Sequence, residues 1–234
     1  MLKCFIGFDP HESIAYNVLA HSIQRRASEP VAVIPLRLEQ LKHIWTRQRS
    51  PDQSTDFTYT RFLTPFLAGD NGISIFLDCD MLCLCDIYEL VGFVKLNWYN
   101  DVFVVKHDYT PNPANKFLNK KQTIYPYKNW SSLMVFNGHR MNVKNLVPSY
   151  VNSASPMELH QFRWATQIGE LPREYNHLVG EEGYTGSNAK IVHYTRGGPW
   201  FKGFEHVDYA AHWFAEFEDM CACENYNLFK QKTV

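Results

Sequence analysis

Two acidic residues at i and i+2, Asp78 and Asp80, close the apolar run Ile73-Ser-Ile-Phe-Leu77. At that spacing on extended chain both side chains leave the backbone on the same side. Two hard carboxylate oxygens can hold Mg²⁺ or Mn²⁺ and leave positions open for substrate phosphates. An isolated Asp-x-Asp also serves as an ordinary turn or cap, so its partners elsewhere in the chain decide its meaning. One such partner is Ile191-Val-His193-Tyr-Thr-Arg196-Gly-Gly-Pro-Trp200, which runs from an apolar segment into a glycine-rich turn. There His193 supplies an imidazole suited to a transition ion. Gly197 and Gly198 permit close backbone approach to a ligand, and Arg196 offers a planar fork that matches phosphate oxygens.

These groups need elements to bring them together. Residues 2 to 8 form an apolar run closing at Asp9-Pro10, and a helical pattern over 11 to 27 follows, with Ile14, Val18, Leu19 and Ile23 on one face. A second strand is expected at 31 to 36. The polar, period-free segment 46 to 56 reads as a mobile loop. Asp56 is placed to cap a helix through Tyr59, Arg61, Phe62 and Phe66, with Gly69-Asp-Asn-Gly72 ending it. The strand at 73 to 77 then delivers Asp78. Three strand-then-helix alternations in ninety residues predict an α/β fold, a mostly parallel central sheet flanked by helices. Ligands in such sheets bind at the carboxyl ends of the strands.

The second half is less regular. Strands are expected at 101 to 105, 132 to 136 and 189 to 194, with a Pro/Asn/Lys-rich insertion at 109 to 130. A final helix over 206 to 222 carries Tyr209, Trp213, Phe214 and Phe217. His107, Asp108 and Tyr109 read as surface turn residues, Glu181-Glu182 as a solvated loop, and Trp98, Trp130 and Trp164 mainly as core. Neither repeat nor linker interrupts the chain, so residues 1–234 are expected to form one domain.

Composition narrows the class. With 45% apolar and 20% charged residues in 234, the chain has material for a large core and none of the bias of disordered sequences. Twenty-three basic against twenty-four acidic side chains offer no long-range attraction to nucleic acid or acidic membranes. The apolar run near Met1 is too short for a signal or membrane span, and no later stretch is long enough, which reads as a cytoplasmic protein. Cysteines 4, 79, 83, 85, 221 and 223 lack common zinc spacing and read as small, reduced side chains.

In order along the chain, Phe5-Ile-Gly-Phe-Asp9, Tyr59-Thr-Arg61-Phe, Phe76-Leu-Asp78-Cys-Asp80, Cys85-Asp-Ile-Tyr-Glu-Leu90 and His193 to Trp200 together resemble a known family. It is the GT-A-fold nucleotide-sugar glycosyltransferases, particularly the glycogenin-like and galactosyltransferase-like glycosyltransferase family 8. Lys128-Asn-Trp-Ser-Ser132 also resembles small bacterial and phage proteins of this type. The resemblance implies a single GT-A domain, with 1–95 as its nucleotide- and metal-binding half and 96–234 as its acceptor-side half, whose first strand offers Phe8 and Asp9 to the nucleotide. Tyr59, Arg61, Cys79, Ser131 and Ser132 would line the donor, and Gly197, Gly198 and Trp200 would close over it. Asp78, Asp80 and His193 would ligate Mn²⁺ or Mg²⁺. The glycogenin-like lysine before the closing proline is missing here, which leaves Arg196 or Lys202 to take its phosphate contact. The family's Asp-Gln pair is matched by His160-Gln161, so Gln161 joins Arg61, Arg196 and Lys202 as a catalytic candidate.

The expected activity is metal-dependent transfer of a sugar from a nucleotide diphosphate donor, a UDP-sugar, to a glycan, lipid or protein acceptor, with retention. Two other readings stay open on these residues. A nucleotidyltransferase or sugar-phosphate hydrolase can also set an acidic pair after a strand, although Asp9-Pro-His-Glu12 stands where its phosphate loop belongs. A catalytically silent sugar-nucleotide-binding protein would use the same pocket.

Overall fold

The computed structural model describes residues 1–49, 53, 55–69, 72–108, 127–181 and 183–222. The order is β1 (Leu2–Gly7), α1 (Ser13–Arg26), β2 (Val31–Leu36), α2 (Thr64–Ala68), β3 (Ile73–Leu77), β4 (Met81–Cys83), α3 (Glu89–Leu96) and β5 (Val102–Val104). It continues with β6 (Leu133–Asn137), α4 (Met141–Lys144), α5 (Pro148–Ser153), α6 (Pro156–His160), β7 (Ile168–Glu170), β8 (His177–Leu178), β9 (Ile191–His193) and α7 (Ala210–Cys221).

The larger sheet runs β2-β1-β3-β6-β5-β7. β1 pairs in parallel with β2 and β3, and β5 with β7, while β6 is antiparallel to both its neighbours. Five strands therefore share one direction, as the alternating pattern predicts. Ile75, Phe76 and Leu77 on β3 and all of β6 from Leu133 to Phe136 are buried, as befits strands covered on both faces. A smaller sheet, β4-β9-β8, sets Met81 opposite His193.

β3 ends where its last pairing, Leu77 with Leu133, passes into a bond from the Asp78 amide to the Ser132 carbonyl at 2.8 Å. Three residues after Asp78, at Met81, β4 enters the other sheet. Asp78 and Asp80 thus occupy the seam between the sheets, and a bond from the Tyr194 amide to the Asp80 carbonyl at 2.9 Å fastens the turn to the end of β9.

α1 buries Ala15, Val18, Leu19 and Ile23 against the sheets and is tied to α7 by a carboxylate. Glu216, buried, meets His21 Nδ1 at 2.6 Å and Arg26 Nη2 at 2.7 Å.

Some elements differ from expectation. The helix expected from Asp56 is a turn, a 3-10 segment Thr60–Leu63 and the short α2, and Asp56 pairs with Arg49 instead of capping. Pro65, lacking an N–H, cannot carry a continuous ladder and starts α2 afresh. The described part of the expected mobile loop is fastened. Asn152 Oδ1 accepts from the Thr46 and Arg47 amides, Arg47 Nη1 donates to the Ala154 carbonyl at 2.7 Å, and its guanidinium lies 3.8 Å over the Tyr59 ring. Residues 50–52 and 54 lie outside the described residues, as do 109–126 of the expected insertion, Glu182 and Cys223. Cys4, Cys79 and Cys83 are buried and unbridged. No helix among the described residues is long and apolar enough to cross a membrane.

Candidate active site

Asp78, Asp80 and His193 converge at the seam, one ligand atom from each lying within 4.8 Å of the others. His193 Nε2 stands 3.3 Å from Asp80 Oδ1, a buried oxygen that accepts no hydrogen bond. A buried carboxylate oxygen without a donor is costly, and a cation set between it and an imidazole lone pair would satisfy both. Two carboxylates and one imidazole form a donor set fitting Mn²⁺ or Mg²⁺. These residues therefore fit the ion that the sequence implies.

Arg61 supplies the adjacent positive charge. Its Nη1 lies 2.9 Å from Asp78 Oδ1 and donates to the Ser131 carbonyl at 2.8 Å, and its Nε reaches the Phe57 carbonyl at 3.4 Å. The guanidinium rests over the rings of Phe57 and Phe76. Phe57 in turn covers Gly7, where any Cβ would come within 2.7 Å of three of its ring atoms. The glycine at the end of β1 thus lets Phe57, and through it Arg61, approach the sheet end.

Three further titratable groups enclose the site. Burial and the nearby charges of Asp80 and Asp9 push Glu12 up to about 8, while Cys79 Sγ, 3.6 Å from Glu12 Oε2, opposes the shift. Burial, then the charges of Arg61 and Arg47, push His160 down to about 3. Its Nδ1 bonds Ser131 Oγ at 2.9 Å, and a capping box of Ser155 and Glu158 starts the short helix that carries it. His107, expected on a surface turn, is buried against the Tyr184 hydroxyl and pushed to about 3 by burial, His193 and Arg173. Asp108 beside it is exposed, and Tyr109 lies outside the described residues.

The predicted residues divide into those the seam gathers and those it holds elsewhere. Arg61, Asp78, Cys79, Asp80, Ser131, Ser132 and His193 are linked by the contacts above, and Tyr59 flanks His160 with ring centroids 5.7 Å apart. Asp9 caps the turn before α1, accepting from the His11 amide at 3.0 Å. Phe8 has the Arg37 guanidinium 4.2 Å over its ring.

Among the described residues, no hydrogen bond or ion pair joins Arg196, Lys202 or Gln161 to the Asp-Asp-His cluster. Arg196 is forked onto Glu181, with both bonds at 3.1 Å, and Glu181 is buried where a solvated loop was expected. Gln161 accepts from Arg163. Lys202 is exposed. Gly197 adopts φ +123°, and Trp200 lies over Gly198 with its ring against Tyr194 and Trp213.

Sequence reasoning missed three members of the site. His160 was paired with Gln161 as one motif, yet His160 is the one that touches Ser131. Glu12 lies in the Asp9-Pro-His-Glu12 turn, where the sequence suggests no role for it. Asn176, whose Oδ1 lies 2.9 Å from His193 Nδ1, follows no local pattern.

No protein-family model matches the sequence. Among curated proteins, Protein CDI of Arabidopsis thaliana is 40% identical over 226 residues, covering 93% of this chain and 86% of that protein. Among solved structures, the bifunctional glycosyltransferase WbbM in its apo form gives a TM-score of 0.65 at 16% identity. That match covers 98% of this chain and 51% of the other, so the chain spans about half of WbbM. The galactosyltransferase LgtC, solved with donor and acceptor sugar analogues, gives 0.57 at 12% identity over 96% of this chain and 99% of its own. GlyE of Streptococcus pneumoniae TIGR4 gives 0.59 at 12% identity over 100% of this chain and 65% of its own. At such identities the likeness establishes the fold, which is the GT-A type of these glycosyltransferases.

Proposed function

The chain belongs to the family of Protein CDI of Arabidopsis thaliana, and from that premise and its GT-A fold we propose that it is a metal-dependent glycosyltransferase. It moves a sugar from a nucleotide diphosphate donor, a UDP-sugar, to a hydroxyl of a glycan, lipid or protein, with retention at the anomeric carbon. The observation that carries this reading is the convergence of Asp78, Asp80 and His193 within 4.8 Å at the seam of such a fold.

Asp78, Asp80 and His193 would hold Mn²⁺ or Mg²⁺. When bound, the ion supplies Lewis-acid neutralisation of the charge on the departing diphosphate. Arg61, already oriented by Asp78 and the Ser131 carbonyl, adds a fixed cation on the same side, preorganised so that little rearrangement is needed as charge develops. Phe8 and Asp9 at the end of β1 face the base and ribose, and Tyr59 flanks them. Ser131 and the Gly197-Gly198 turn border the sugar and diphosphate, with Trp200 behind. Arg196 and Lys202 are the further phosphate contacts, Arg196 once a donor draws its fork from Glu181. Gln161, at the end of the helix bearing His160, is assigned to the sugar side.

The test is a thermal-shift screen of nucleotide sugars with and without Mn²⁺, since a ligand bound only by the folded state raises its melting temperature. The reading expects UDP-sugars to shift the melt and Mn²⁺ to be required. Shifts independent of metal, or confined to nucleoside triphosphates, would favour the nucleotidyltransferase alternative.

A further inference from the structure

We infer that Asn176, Ser132 and Asn129 form a relay that fixes His193 in one tautomer, with the proton on Nδ1 and the Nε2 lone pair facing Asp80 and the ion position. The direction of each hydrogen bond follows from the one before it. Asn129 is held at φ +61°, in the left-handed region that asparagine tolerates better than most side chains, and this sets its carbonyl beside Ser132. A backbone carbonyl only accepts, so the Ser132 hydroxyl, 2.6 Å away, spends its single proton there.

The oxygen of Ser132 then serves Asn176, 2.8 Å away, as an acceptor, and the group facing it must be the amide nitrogen. That nitrogen also lies 3.4 Å from the Asn129 carbonyl, which again only accepts. The amide oxygen of Asn176 is therefore turned to His193 Nδ1 at 2.9 Å, and an acceptor there requires the ring proton on Nδ1. In the neutral ring Nε2 is then the bare nitrogen, 3.3 Å from Asp80 Oδ1.

Burial makes the relay rigid. Asn176 and Ser132 are buried, and His193 is 2% exposed. Ser132 is also the residue whose carbonyl accepts the Asp78 amide, so one residue anchors a carboxylate through its backbone and the imidazole through its side chain. Outer partners of metal-binding histidines orient the ring and fix its tautomer, and their loss typically weakens metal affinity about 10- to 100-fold. Asn176 is thus a positioning residue, acting only through His193, and the Ser132 hydroxyl, engaged by the Asn129 carbonyl and the Asn176 amide, serves the imidazole by way of Asn176 and not the donor.

This inference rests on the metal-site reading, and the experiment separates the two. In metal-free protein labelled with ¹⁵N-histidine, at mildly alkaline pH, the two-bond nitrogen–proton correlations of His193 are assigned by their loss in His193→Gln. Mn²⁺ affinity is measured in parallel by the electron paramagnetic resonance of free ion. The wild type should show a protonated Nδ1 and an unprotonated Nε2. Asn176→Leu should lose that preference and weaken Mn²⁺ binding about 10- to 100-fold. Asn176→Asp keeps an acceptor on Nδ1 while the Ser132 hydroxyl turns from the Asn129 carbonyl to donate to the new carboxylate, so it should retain the tautomer and bind Mn²⁺ within a few-fold of wild type. Ser132→Ala, a smaller change, should turn the His193 signal into a tautomer mixture. Should Asn176→Leu not fold, the wild-type spectrum and Ser132→Ala still decide. A His193 protonated on Nε2 in the wild type, or a tautomer indifferent to both substitutions, overturns the relay. The expected tautomer without Mn²⁺ binding leaves the relay standing and sinks the metal reading instead.

Discussion

Arg61 Nη1 and Asp78 Oδ1 lie 2.9 Å apart, so one predicted metal ligand already carries a fixed cation, seated on the rings of Phe57 and Phe76. If that cation meets the diphosphate, Arg61→Ala should weaken UDP binding about 10- to 100-fold, the range of a charge-assisted hydrogen bond worth 1.5–3 kcal/mol. Arg61→Lys should recover only part, because a point charge cannot serve Asp78, the Ser131 carbonyl and a phosphate together. UDP titration of the two variants measures this. Affinity unchanged in Arg61→Ala would make the pair structural.

Gly7 offers a route to the same cation from a distance. A methyl at this position must displace Phe57, whose carbonyl and ring both support Arg61. Gly7→Ala should cost about 1–3 kcal/mol in urea unfolding, the usual penalty of overpacking, and should also reduce UDP affinity. A stability loss with normal UDP binding would show that Arg61 does not depend on Phe57.

His193 and Arg196 should fail in different ways. His193→Ala should lower activity in a manner that excess Mn²⁺ partly restores, since the affinity for the ion is what has been lost. Arg196 is joined to buried Glu181, and because the arginine is more than a third exposed its removal should cost only about 1–3 kcal/mol of stability. Glu181→Gln frees the guanidinium and should strengthen donor binding if Arg196 contacts phosphate. A metal titration of activity beside a thermal melt of each variant separates these outcomes, and unchanged donor affinity in Glu181→Gln removes Arg196 from the donor site.

His160 and His107 make stability fall on the acid side. Both are held near 3 when folded, against about 6.5 for a histidine in the unfolded chain. Between those values the unfolded chain binds more protons, so stability rises with pH there. The contribution is complete above about pH 6.5 and is lost progressively as pH falls toward 3. His160→Gln should flatten this slope in urea midpoints measured across pH, and an unaltered slope would place the acid sensitivity elsewhere.

Much of the larger sheet was legible in the sequence, because Leu2–Gly7, Val31–Leu36 and Ile73–Leu77 are short apolar runs bounded by turn residues. The Asp-Asp-His cluster was legible for a related reason, since its members sit where the apolar runs Ile73–Leu77 and Ile191–His193 end. The rest depended on tertiary contacts without local period. Arg47 pins a polar segment by stacking on Tyr59, Pro65 splits an expected helix, and β4, β7 and β8 have two or three residues each, too few to alternate. Arg196 looked free for phosphate because Glu181, 15 residues earlier, reveals its partnership only in the fold.

The most direct measurement of the central claim is isothermal titration of UDP into wild-type protein and Asp80→Asn, each with Mn²⁺ and with chelator, after melts confirm that both fold. Asparagine keeps the shape of the side chain and removes its charge. The metal-site reading predicts that wild type binds UDP with Mn²⁺ and loses that binding with chelator. It also predicts that Asp80→Asn, with Mn²⁺ present, binds at least about 100-fold more weakly, beyond what losing an outer partner of a ligand costs. Equal UDP affinity in all four titrations would contradict it.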